Sequence, residues 1–274
     1  MSTPLILGYG NNIMGSGVTI TPNQEDPDFP ASNLLLDQRQ LIWRTLDVAA
    51  QREIAIDLGA AQRFSNTMAV AFDVNCRSTG GGIPSLVAYT DATYTVVLVN
   101  LGGATAYNFT DPAATTHALN RFAYWTIPAG AATTARYWKF ISNGAVAIDA
   151  FLSVGKFFMG QGLTLAKNYR YGITYTYVDP TVKRRVPGGS MNVNRLPPYW
   201  QVRCDIPRLS RSDSNALRTV VDTVGRAQPL VAIWDYDNDV ARKTLYGRLD
   251  SNIGFQHVRG DLFDHGPILF EEDI

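Results

Sequence analysis

Short apolar runs alternate with turn clusters along this chain, and the clearest of them repeats every two residues. That run is Glu53-Ile54-Ala55-Ile56-Asp57-Leu58, and it stops at Gly59. A two-residue repeat places alternate side chains on opposite faces of an extended backbone, so this segment reads as a half-buried strand. Met68–Val74, Ser85–Tyr89, Thr95–Val99, Phe122–Ile127, Tyr137–Ser142 and Ala147–Val154 are further strand candidates. Gly, Asn and Pro clusters at 8–17 and 22–30 punctuate the earliest runs, as turn-forming residues do. Many short strands between turns predict an antiparallel sandwich over residues 1–160, with one helical turn near Ser32–Leu36.

The texture changes after Gly160–Gly162, which reads as a boundary. Tyr169, Tyr171, Ile173, Tyr175 and Tyr177 share one face of a predicted strand. A Pro- and Gly-rich hairpin or loop follows from Asp179 to Gly189. Trp200, Val202, Cys204 and Ile206 then line a face of the next strand. The strongest helix signal follows. Ser210 with Asp213 resembles a capping box, Leu217, Val220, Val221 and Val224 fall at i, i+3, i+4 and i+7, and Gly225 supplies the stop. Leu230–Trp234, Lys243–Leu249, Phe255–Arg259 and Ile268–Glu271 complete a second set of strands. The fold class is therefore mainly β: an antiparallel sandwich over 1–160, then a smaller β domain carrying one helix over 161–274.

Composition narrows the function. The formal net charge is zero, with 24 basic and 24 acidic residues, so the chain lacks the cationic excess that binding to a phosphate backbone requires. Lys183-Arg184-Arg185 is short enough to be a solvated segment. No apolar run reaches the length of a membrane span, and the N-terminus lacks the basic and apolar regions of a signal peptide. Cys76 and Cys204 are too few for a disulfide or zinc framework and read as buried thiols.

Catalytic chemistry finds little support. His117, His257 and His265 fit no metal-ligand spacing, no GxSxG element is present, and the glycine pairs lack the setting of a phosphate loop. Neither a cofactor nor an enzymatic role is expected. Asp235, Asp237 and Asp239 alternate across a predicted turn and could offer oxygen ligands to a cation, although Asp and Asn are also ordinary turn residues. Glu271-Glu272-Asp273 reads as a solvated acidic tail or an inter-subunit contact, because neighbours on a strand face opposite ways. Sugar-binding sandwiches use exposed aromatics. The candidates are Trp43, Tyr89, Tyr94, Tyr107, Trp125 and Trp138, with Trp43 and Trp125 named as ligand or interface residues beside core packing as the ordinary reading.

The stretch Phe29-Pro30-Ala31-Ser32-Asn33-Leu34-Leu35-Leu36-Asp37, then Trp43-Arg44-Thr45 and Ile54–Gly59, resembles the opening of galactose-binding-like (discoidin, F5/8 type C) domains, which implies that the sandwich over 1–160 is a jelly roll. Ala135–Ile141 and Ile148–Gly155 resemble that family's later strands, so the likeness covers most of residues 25–156. The cysteine pair of secreted members is absent. In the second half, the aromatic strand, Pro/Gly loop, Trp-bearing strand, helix opening Leu209-Ser210, and Leu245-Tyr246-Gly247-Arg248-Leu249 are similar to the β-plus-helix domains of phage tail-tube and distal-tail proteins. Together these resemblances imply a structural component of a tailed-phage tail tip. It would be assembled in the host cytoplasm into the virion, as a trimeric or hexameric ring contacting other tail proteins. The alternative is a carbohydrate-binding module for a host-surface glycan.

Overall fold

The computed structural model describes residues 5–38, 40–47, 51–64, 67–75, 84–103, 106–108, 122–126, 133–143, 151–166, 173–185, 188–189, 191–206, 208–234, 244–250 and 253–273. The first part of the chain gives β1 (Ile6–Tyr9), β2 (Thr19–Pro22), β3 (Trp43–Arg44), β4 (Gln51–Phe64), β5 (Thr67–Phe72), β6 (Ser85–Tyr89), β7 (Val97–Gly103), β8 (Ala106–Asn108), β9 (Phe122–Thr126), β10 (Thr133–Asn143) and β11 (Ser153–Val154). The second gives β12 (Lys156–Thr164), β13 (Thr174–Val178), β14 (Val182–Arg185), β15 (Met191–Asn194), β16 (Tyr199–Cys204), β17 (Leu209–Ser210), α1 (Arg211–Val224), β18 (Leu230–Ile233), β19 (Thr244–Leu249), β20 (Phe255–Arg259), β21 (Leu262–His265) and β22 (Ile268–Glu272). The mainly-β expectation is met, with a jelly-roll type of sandwich in the first half and one α-helix among the described residues.

Two sheets organise the molecule. One has five strands in the order β2-β4-β10-β6-β7, and the other ten in the order β13-β16-β22-β19-β18-β1-β12-β5-β9-β8. The pairings are antiparallel. The sandwich core lies between the sheets. Ile54, Ile56, Leu86, Ala88, Trp138 and Phe140 from the five-stranded sheet meet Ala69, Ala71, Trp125, Phe157 and Met159 from the larger one. A second core lies under α1, which buries Leu217, Val220 and Val224 against Leu5, Leu7, Leu230, Ala232 and Phe270. The helix ends where expected: Ser210 accepts from the Asp213 amide, and Gly225 takes φ of 53°.

A third core connects the halves. Met68, Val70 and Phe72 of β5 and Phe158 of β12 pack with Ile6, Val231, Ile233 and Tyr246. The Phe72 and Tyr246 rings lie 5.5 Å apart, although four strand spacings, about 19 Å on a flat sheet, separate β5 from β19 in the sheet order. The ten-stranded sheet is therefore rolled. Gly160–Gly162, read from sequence as a boundary, falls inside β12, which pairs with β1 on one side and β5 on the other. The bend explains the glycines: a Cβ on Gly160 would strike the Tyr9 carbonyl and the Phe158 ring, and one on Gly8 would overlap the Met68 methyl.

Gly247 meets a comparable constraint on β19, where a Cβ would collide with the Glu271 carbonyl of β22. Gly247→Ala is expected to lower stability by roughly 2–3 kcal/mol, because backbone rather than a movable side chain must yield. Urea melts of the variant and the parent check this.

Candidate functional site

The outer face of the five-stranded sheet carries a cluster of tyrosines and paired charges. Inward and outward residues alternate on β10: Trp138 and Phe140 enter the core, whereas Tyr137 and Lys139 stay partly exposed. Register then aligns one row across three strands, with Tyr137 opposite Asp57 of β4 and opposite Tyr89 of β6. A bulge between Ala135 and Tyr137 breaks the alternation, and the Arg136 guanidinium reaches the same side as Tyr137. It donates to both Asp57 oxygens at 2.6 and 2.8 Å and sits 5.0 Å from the Tyr137 ring centre.

Tyr94 completes the cluster from the β6–β7 turn. Its φ is 56°, a conformation that side-chain-bearing residues adopt uncommonly and that the surrounding turn must hold in place. Asp91 does the holding: its carboxylate accepts from the Val96 amide at 2.7 Å, the Thr95 amide and hydroxyl, and the Thr93 hydroxyl. Those hydrogen bonds keep the Asp91 carboxyl well below the usual range. The Tyr94 ring packs edge-on against Tyr89 at 5.6 Å and Tyr137 at 5.9 Å. Lys139 lies 5.6 and 5.4 Å from the Tyr89 and Tyr94 rings and pairs with Glu53 at 2.9 Å.

Burial pushes the Tyr94 phenol up to about 12, with the Asp57 charge adding to the shift. The Arg136 hydrogen bonds hold Asp57 below the ordinary carboxylate range. At neutral pH the face therefore presents phenol hydroxyls and two ion pairs, Asp57–Arg136 and Glu53–Lys139, that balance to zero. Such a surface can hydrogen-bond hydroxyl groups while aromatic edges and faces cover C–H groups.

The residues singled out from sequence fare differently. Trp43 and Trp125 are fully buried in the sandwich core, as is Trp138, so none offers a ring to a ligand, and the expectation of a ligand role for Trp43 and Trp125 is corrected. Trp125 packs against Phe140 and Phe157 and donates to the Gly102 carbonyl at 3.3 Å. Asp235, Asp237 and Asp239 lie outside the described residues, as do Cys76, His117, Tyr169 and Tyr171. Tyr107 falls on β8. Cys204 is a buried free thiol, pushed up to about 12 by burial. His257 is exposed on β20, and His265 is partly buried on β21 against Phe255. Among the described residues, no group of three or more His, Cys, Asp or Glu side chains is placed to hold a metal ion. Asp57, Arg136 and Tyr137 were not singled out, although the parity of Tyr137 and Lys139 against Trp138 and Phe140 marks them as outward.

No family model and no curated protein matches the sequence. Solved structures similar to part of this chain include carbohydrate-binding modules and a glycoside hydrolase. Chitosan-binding module 1 of a Paenibacillus sp. IK-5 chitosanase/glucanase aligns at 16% identity and TM-score 0.41, over 55% of this chain and 98% of that one. The family 32 carbohydrate-binding module of Clostridium perfringens NanJ, solved with galactose, aligns at 15% identity and TM-score 0.37, over 56% and 98%. A Ruminococcus gnavus GH29 fucosidase aligns at 14% identity and TM-score 0.40. This chain covers only 27% of the fucosidase, and the match takes in 56% of this chain.

Proposed function

We propose that this chain is a non-catalytic recognition protein whose sandwich binds a glycan on the tyrosine face of its five-stranded sheet. The carrying observation is the convergence of the partly exposed Tyr94 and Tyr137, packed around the buried Tyr89, with the Asp57–Arg136 and Glu53–Lys139 pairs on one face of the sheet. Charge balance favours a neutral sugar over a sialylated or sulfated one, because neither guanidinium nor ammonium lacks its carboxylate. Chitosan oligosaccharides and galactose, named for the neighbours above, serve as first probes beside a broad array. Tyr94→Ala is expected to weaken binding roughly tenfold by calorimetry, the scale of one lost aromatic contact, while the melting curve stays close to the parent's. An array with no ligand for the parent protein sinks this reading.

A second reading, assembly into a phage tail tip as a ring of identical subunits, draws on a different surface. Between Thr174 and Pro198 no described residue is buried, and Tyr175, Tyr177, Val182, Met191, Val193 and Leu196 are exposed there; apolar side chains grouped on a surface favour a protein partner. Recovery of this chain from purified virions by mass spectrometry tests it, and its absence from them overturns it.

A further inference from the structure

β14 and β15 pair with each other alone and form a hairpin arm between β13 and β16. An isolated two-stranded hairpin is marginal in water, and this one leaves Val182, Met191, Val193 and nearby Leu196 between 41% and 55% exposed. Register sets Lys183 opposite Val193 and Arg185 opposite Met191. One face of the arm is therefore both cationic and apolar, with nothing in the chain covering it among the described residues. At the arm's base, Tyr177 lies opposite Trp200 with ring centres 5.2 Å apart, and both are exposed.

The complementary chemistry lies elsewhere on the same chain. A groove of about 470 Å³ is lined by Asp250, Glu271, Glu272 and Asp273 with Arg226 and Arg248. Four carboxylates thus face two guanidiniums. Burial and the adjacent Asp250 charge raise the Glu271 carboxyl above its ordinary range, and burial raises Asp273 despite Arg248 at 2.9 Å. A further cation would relieve that crowding. The whole chain is neutral, so the surplus positive charge on the arm is matched by surplus negative charge elsewhere, of which this groove is a concentrated part.

We infer that the arm of one copy docks in the acidic groove of a second copy, seating Lys183 and Arg185 among the carboxylates and covering Met191 and Val193. Arm and groove are different surfaces, so the contact is head-to-tail and closes into a ring or continues as a filament. This rests on the assembly reading and is independent of sugar binding.

Light scattering on the full chain tests it. The parent is expected to gain mass with concentration, and to lose it in high salt because the contact is charged. Lys183→Glu/Arg185→Glu should weaken self-association by at least about tenfold. Glu271→Lys/Glu272→Lys should do the same, and mixing the two charge-reversed proteins should restore assembly. Replacement of residues 182–194 by a short Gly/Ser linker guards against a folding defect in the point variants. Parent protein that stays monomeric overturns both this inference and the assembly reading. Parent protein that associates equally well with a reversed or deleted arm overturns this inference and leaves that reading standing. Anionic vesicles or DNA retained by the parent but not by the arm variant, at unchanged mass, overturn it as well.

Discussion

Replacing Trp138 with alanine is expected to cost roughly 3–5 kcal/mol, the range for removing a large aromatic from a packed core. Trp138 sits on β10 between β4 and β6, opposite Ile56 and Ala88, and meets the Phe64 ring edge-on at 4.9 Å. It is fully buried, and the central strand cannot slide to close the void without breaking register with both neighbours. Trp138→Phe isolates the cause. The indole N–H has no hydrogen-bond partner among the described residues, so a phenyl ring gives up area but no satisfied polar contact, and about 1–2 kcal/mol is expected. Urea unfolding followed by circular dichroism separates the two. Because the molecule holds three cores, the alanine variant is also expected to broaden the transition as the sandwich melts ahead of the helical half. A loss under about 1 kcal/mol for alanine would show that the space between the sheets is not close-packed.

The helix and most strands were legible because their signals are local. Ser210, the i, i+3, i+4, i+7 stripe and Gly225 fix α1 without help from the rest of the fold. The period-two run at Glu53–Leu58 does the same for the middle of β4, which continues to Phe64. The connection between the halves was not legible. Gly160 looks like punctuation in sequence, yet its freedom from a Cβ lets β1 and β12 approach closely where a rolled sheet bends. Whether a glycine ends a strand or curves one depends on what packs on it, and that is long-range information.

The tyrosine face divides along the same line. Alternation along β10 shows that Tyr137 and Lys139 oppose the core-directed Trp138 and Phe140, so half of the cluster was readable. The bulge that brings Arg136 beside Tyr137 emerges only from long-range strand pairing. The Asp91 hydrogen bonds that hold Tyr94 at positive φ span two to five residues and are local, yet an Asp in a turn does not by itself announce which ring it will fix. Large aromatics were read as ligand candidates by type. Parity along β10 sends Trp138 inward and Tyr137 outward, whereas the burial of Tyr89 under the outer face depends on the Tyr94 ring that packs on it.

Changing Lys156 to methionine is expected to alter how stability depends on pH. Lys156 is fully buried at the seam between the halves and donates to the Leu34 and Leu36 carbonyls. Asp37, Tyr246, Arg248 and Asp273 gather around it: the Tyr246 hydroxyl meets Asp37 at 3.1 Å, and Arg248 bridges Asp37 and Asp273. Burial lowers the ammonium to about 8 from an ordinary 10.5, despite the two carboxylates. Below pH 8 both folded and unfolded chains hold the proton, and the cost of burying the charge is present in full. Between 8 and 10.5 the unfolded chain binds more protons, so this group's contribution rises with pH, by roughly 3 kcal/mol across the window. Cys204 and Tyr246 oppose it. Burial raises both, so above the ordinary thiol and phenol values of 9.0 and 10.0 the unfolded chain ionises first and stability falls. Those two groups are common to both proteins, and their slope cancels in the difference. The parent is therefore expected to gain on Lys156→Met as pH rises from about 8 to 10, measured by urea unfolding at several pH values. Parallel curves for the two proteins would mean that the ammonium is solvated, and that the seam is held by Asp37, Arg248 and Asp273 alone.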